Sequence, residues 1–240
     1  MSSKSNLFFI FSTFYLFNSF INLPSIKKYV LLKIQSTLIF INMKYNDLLL
    51  EDNRRREVIR VIVKDIISVF KQEEDGEFYL PNYINDDKDF YNFTNFENNL
   101  SVEVIINPNL DVDDFIVDGN YWGSDDIMEI IIDYNPDVKS KILYDLVGEL
   151  NQVVAHEIRH IDQRNKKTFN LDGPEEEDPY EYYTQPHEID AQVFGFKRLS
   201  KIAKKPYEMV VKNWFDKHKD IHRLSNKEME DVINILIKSK

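Results

Sequence analysis

The sequence predicts an α+β fold, in which a small, mostly antiparallel sheet packs on one long helix and a helical C-terminal part follows. Three observations predict it. Apolar residues recur at helical spacing over residues 48–70 and again over a longer stretch ending near Gln163. Between these stretches lie three short runs rich in β-branched residues, separated by Gly, Pro, Asn and Asp. After Pro186 the helical period returns three times with no further strand candidate.

The first helix, 48–70, carries its apolar stripe on Val58, Ile59, Val61, Ile62, Ile66, Ile67 and Phe70. Residues 71–99 are polar, aromatic and rich in Asn and Asp, and read as irregular structure or short strands. Strands are expected at 100–106, 114–118 and 127–133. Asn107-Pro108-Asn109, Asp118-Gly119-Asn120 and Gly123-Ser124 supply turn chemistry between them. Asn135 is placed to cap the long helix, with Pro136 at its first position. Its stripe is Leu143, Leu146, Val147, Leu150, Val154, Ile158 and Ile161. Residues 164–185 are expected to form an acidic loop. Helices then follow from Pro186 to about Lys204, over 206–219 and over 226–238.

Composition bounds the function. The 240 residues contain no cysteine, so a disulfide framework, a Cys-ligated metal and a thiol nucleophile are all excluded. A net charge of −11 disfavours nucleic acid as a partner. The charge is uneven. Residues 1–42 hold four lysines and no acid, 43–196 hold 14 basic and 35 acidic residues, and 197–240 hold 12 and 6. The apolar run 7–21 falls short of the roughly 20 residues of a spanning helix, and no small-x-small cleavage site follows it. The switch at Met43 favours a natural start there. Residues 1–42 are read as a leader that is upstream translation, a disordered segment, or a membrane or signal segment. Residues 43–240 are read as a single domain. The expected location is the cytoplasm, or the membrane or exterior if the leader is genuine.

The chemistry sits in His156-Glu157-Ile158-Arg159-His160 on the long helix. Residues i and i+4 lie about 40° apart around a helix, so both imidazoles face one point, as two ligands of a tetrahedral zinc must. Glu157, next to the first histidine, can reach a metal-activated water as general base without binding the metal. Random order would produce this five-residue pattern about once in a hundred such chains. The third ligand is read as Glu188, in the first turn of the helix from Pro186, which completes a His2Glu set around one zinc per chain. His187 and Asp190 are its rivals, and either can instead orient a ligand histidine. Ala191 and Gly195, with Gly148 and Ala155, let the two helices approach closely. His218 and His222 are also spaced i, i+4, but lack an acid between them and sit among lysines. They are expected to be ordinary surface residues. Lys197, Arg198, Lys201, Lys204 and Lys205 read as a solvated helix face.

The motif 156–160 with an acid on a later helix resembles the zincin metallopeptidases, their gluzincin branch in particular. The runs 156–163 and 186–192 look like small phage and bacterial metallopeptidases. Gln163 and Lys166 stand where the metzincin pattern has Gly and a third His. Gln192 stands where thermolysin-type enzymes carry Asp. The resemblance implies an active-site helix flanked by an edge strand that pairs with extended substrate, for which 127–133 is the candidate; its Ile130-Ile131-Ile132 run also permits a central strand. It implies peptide-bond hydrolysis of a peptide or protein substrate, with Glu157 as base. Among Tyr180, Tyr182, Tyr183 and His187, Tyr183 is the first choice to stabilise the oxyanion and His187 the second. The acidic run 175–178 is expected to be a solvated loop that could favour basic substrates. The alternative is an inactive or repurposed scaffold serving as a binding or structural protein, for example in a phage.

Overall fold

Alternation of apolar residues at every second position builds a four-stranded sheet. In the computed structural model the described residues are 55–80, 100–123, 125, 127–169, 178–219 and 221–240. All of them belong to one unit, Arg54–Lys240. The leader 1–42 and most of the expected acidic run at 175–178 lie outside them. Helix α1 covers 55–72. The strands are β1 Gly76–Leu80, β2 Ser101–Pro108, β3 Phe115–Trp122 and β4 Ile127–Tyr134. A 3-10 turn at Pro136–Val138 leads into α2, Lys139–Lys166. Helices α3 Pro179–Thr184, α4 Pro186–Ala203, α5 Tyr207–Lys217 and α6 Asn226–Lys238 complete the chain.

The sheet is mixed, with two antiparallel pairings and one parallel. Its order is β1-β2-β4-β3. β1 pairs with β2, and β3 with β4, antiparallel, while the central pair β2 and β4 is parallel. Expected strand 127–133 is therefore central, with a neighbour on each side, and the edge beside α2 is β3. The edge placement expected for 127–133 is thus overturned, and the Ile130-Ile131-Ile132 run suits the central position. Asp118-Gly119-Asn120 is not a turn either. It continues β3, because Gly119 passes so close to α2 that a β-carbon there would lie 2.4 Å from Val153 Cγ1. A glycine inside a strand often marks such an approach of another element. Of the two regions with less regular patterning, 71–99 does contain a short strand, β1, one of its two expected readings, while 164–185 holds a short helix, α3, where a loop was expected. Helix α3 is capped by Asp178, whose carboxylate accepts from the Tyr180 and Glu181 amides.

One face of the sheet is the core. Val102, Val104, Ile106, Val117, Met128, Ile130 and Ile132 are buried with Ile59, Ile62, Ile66 and Phe70 of α1 and with Leu146, Leu150, Val154 and Ile158 of α2. A second apolar cluster joins α4, α5 and α6 through Val193, Phe196, Val211, Phe215, Val232 and Leu236. Helix α2 runs between the two, and every residue from Glu149 to Ile158 is buried. At about 1.5 Å per residue its 28 residues span about 42 Å. Asn135 caps the 3-10 turn that precedes α2, with the side chain accepting from the Asp137 amide, whereas α2 itself starts after Val138 with no side-chain cap. Among the described residues, no helix is long and apolar enough to cross a membrane.

Candidate metal centre

Two glycines decide how closely the site's elements meet. A β-carbon at Gly195 of α4 would lie 2.8 Å from the Gln152 carbonyl oxygen, so α4 lies directly against the α2 backbone. This agrees with the small-residue reading of Gly195, and Ala155 and Ala191 are fully buried in the same layer. At Gly148 the nearest atom would be Leu199 Cδ1 at 3.4 Å, an ordinary contact, so that glycine is not needed for the approach. On the other side of α2, a β-carbon at Gly119 would also come within 3.3 Å of Glu157 Cγ. The edge strand and α4 therefore flank the segment that carries the motif.

The close approach brings Glu188 to the two histidines. His156 Nε2 lies 2.9 Å from His160 Nε2. Glu188 reaches both, with Oε2 3.3 Å from His156 Nε2 and Oε1 3.2 Å from His160 Nε2. The ligand atoms of these three residues all lie within 4.8 Å of one another, and among the described residues they are the one group of His and acids so arranged. A tetrahedral cation with bonds near 2.0 Å needs neighbouring donors about 3.3 Å apart. The triangle fits a cation with modest adjustment. The donor chemistry fits as well, since two imidazoles and one carboxylate make a nitrogen- and oxygen-rich set suited to zinc. Glu188 Oε2 is buried and makes no hydrogen bond of good geometry, which a cation would remedy.

Electrostatics follow from burial and closeness. Burial works to raise the Glu188 carboxyl, but the adjacent His156 and His160 outweigh it and hold the group below the usual carboxylate range. For His160, burial opposes protonation, yet Glu188, Glu157 and the contact to Gln163 lift it to about 9. Glu157 is almost wholly enclosed, with its carboxylate 3.8 Å from His156 Nε2. Burial raises it, Glu188 and Asp118 add to the rise, and the two histidines oppose it. A carboxyl poised upward beside a cation site suits a proton acceptor and donor.

The remaining expected residues lie nearby in different ways. His187 Nε2 is 3.5 Å from Glu188 Oε1, and its ring centre is 5.9 Å from that of His160. Burial lowers its basicity. Tyr183 packs in the helical cluster, with its ring 5.7 Å from Phe215 and 6.4 Å from His222. Burial raises its hydroxyl, with smaller contributions from Asp118 and Glu188. Tyr182, 38 % exposed overall, turns its hydroxyl to the Glu188 carboxylate. Burial of that end and the charges of Glu188 and Glu157 raise it strongly. Tyr180 instead bonds to Asp231 on α6, away from the centre. Asp190 does not join the triangle; Arg159 grips both its oxygens, at 2.7 and 3.1 Å.

Two contributors escaped the sequence reading. Gln163 was given no role in the site, yet it contacts His160. Asp162 is buried and bonds to Arg55 of α1 at 2.7 Å, which fastens the first helix to the motif helix. The signals were present, since Gln163 stands one turn after the second histidine and Asp162 lies next to the apolar stripe.

Comparison with protein-family models, with characterised proteins and with solved structures finds no match to this chain.

Proposed function

We propose that the chain is a zinc-dependent metallopeptidase of zincin type. The observation that carries the reading is the convergence of His156, His160 and Glu188 with Glu157 buried at their side. A zinc ion held by those three residues would act as a Lewis acid on the scissile carbonyl and on the attacking water. Glu157 takes the proton of that water and passes it to the leaving amine. Its raised proton affinity, caused mainly by burial, suits both transfers. Tyr182, Tyr183 and His187 are the candidate donors to the developing oxyanion. The turn of the Tyr182 hydroxyl toward Glu188 favours it over Tyr183, whose ring is committed to packing on Phe215.

Strand β3 is the proposed substrate rail. Among the described residues it pairs with β4 alone, and Gly119 sets its backbone against Glu157. An extended peptide adding to the open edge gains backbone hydrogen bonds while its carbonyl meets the centre. A peptide or protein substrate follows, and nothing in the site calls for nucleic acid.

The test is hydrolysis of unfolded, casein-like peptides. Activity in the wild type, blocked by a chelator, is expected. Glu157→Gln should keep the metal and lose about 100- to 10,000-fold in rate. A wild type that binds metal yet cleaves no peptide would point to the repurposed scaffold instead.

A further inference from the structure

Gln163 joins the ligand histidine to the helix that carries Glu188. It is 1 % exposed and makes three polar contacts. Its Oε1 lies 2.9 Å from His160 Nδ1. Its Nε2 donates to the His187 backbone carbonyl at 2.8 Å and to Asp190 Oδ2 at 2.8 Å. The two ends of the amide are not interchangeable here. A backbone carbonyl and a carboxylate gripped by an arginine can only accept, so the end facing them must be the NH2. The oxygen end therefore faces His160, and the ring nitrogen it meets must carry a hydrogen. The other ring nitrogen, Nε2, is left to offer its lone pair beside His156 and Glu188. Arg159 holds Asp190 with a two-pronged contact that fixes the carboxylate plane. His156 has no such brace, since its Nδ1 is buried without a hydrogen bond among the described residues.

We propose that Gln163 is a positioning residue, which sets the tautomer and ring direction of His160, while the Arg159–Asp190 pair sets which way round the Gln163 amide lies. The proposal rests on the metal-site reading above. It assigns one small network to two tasks, orienting a ligand and registering α4 against α2.

The experiment uses the full chain. Zinc affinity is measured by competition with a chromophoric chelator, and histidine protonation is read by long-range proton–nitrogen NMR. In the zinc-loaded wild type, His160 should show a slowly exchanging Nδ1–H. Gln163→Met should weaken zinc binding by about 10- to 100-fold and speed that exchange. Gln163→Glu keeps an acceptor for His160 but sets it against the Asp190 carboxylate, so it should also weaken binding. Adding Asp190→Asn restores a donor opposite the new acceptor, though the His187 carbonyl still faces the carboxylate, and the double variant should recover part of the loss. Zinc affinity within twofold of wild type in Gln163→Met, or a double variant no better than Gln163→Glu, overturns the proposal. A wild-type spectrum with hydrogen on Nε2 and none on Nδ1 overturns it without any variant. A wild type that binds no zinc would sink the metal-site reading instead, and in that same chain, at a pH where the His160 ring is neutral, the position of its one ring hydrogen, Nδ1 or Nε2, would still uphold or overturn the role of Gln163.

Discussion

The molecule contains two histidine pairs spaced i, i+4, one within α2 and the other in the turn that follows α5, and they come to opposite ends. Both are buried. His156 is 6 % exposed, while His218 and His222 are 4 % and 5 % exposed, which corrects the surface placement expected for the second pair. In the first pair the two Nε2 atoms face each other at 2.9 Å, with a carboxylate alongside. In the second, His218 Nδ1 bonds the Trp214 carbonyl at 2.8 Å, and its ring stacks on Trp214 with centres 4.5 Å apart. His222 Nε2 bonds the Phe215 carbonyl, and its Nδ1 accepts from the Leu224 amide. Those contacts finish α5 and the turn behind it. Among the described residues only His218 of this pair has an acid near, with Nε2 3.5 Å from Glu149, and Lys217 already holds that acid at 2.9 Å. The i, i+4 spacing brings two imidazoles together within α2, but a site also needs lone pairs left free by the backbone and an acid left free by other cations.

The comparison can be broken or sharpened in several ways. The largest effect expected is on pH dependence. Protons compete with the cation for His160, which is lifted to about 9. Zinc affinity should therefore climb by about 10-fold per pH unit between about 6.5 and 9, then level off. Calorimetric titrations across that range check it, and a flat profile contradicts it. In chelator-treated protein the sign reverses. A raised histidine stabilises the fold fully below about 6.5, and that contribution is lost as pH rises through about 9.

Next comes the helix contact that serves the first pair alone. Gly195→Ala drives a methyl against the Gln152 carbonyl. It should cost about 1–3 kcal/mol and weaken zinc binding, because α4 must retreat with Glu188. His222→Ala should cost a similar amount, about 1–3 kcal/mol, through two lost buried hydrogen bonds, yet leave zinc affinity unchanged. Denaturant melts beside chelator competition separate the two variants. Smallest is Gly148→Ala, where there is room for a methyl. Helix propensity should stabilise the fold by up to about 1 kcal/mol with no change in metal binding.

How much was legible in the sequence follows from how local each feature is. Helix α2 and its motif were readable because periodicity and ligand spacing live within a few turns. Glu188 was readable because Pro186 fixes where the next helix starts. The strand order was not, since insertion of β4 between β2 and β3 depends on pairing partners far apart in the chain. Gly119 misled for the same reason, because what crowds it is Val153, 34 positions later. The buried state of His218 was hidden by Lys217 and Lys219 on either side. Its cover comes from Trp214, one turn back, and Lys217 itself bends away to Glu149. Gln163 was visible as a residue, but its role needed Asp190 and the His187 carbonyl from another helix.

The central claim is that the first histidine pair and Glu188 together hold one divalent cation. Metal content by mass spectrometry, on zinc-exposed and gel-filtered protein, tests it most directly. The account predicts one zinc per chain in the wild type and in His218→Ala, and none in His156→Ala or Glu188→Ala. Zinc retained in full by Glu188→Ala, or lost only when His218 is removed, would contradict it.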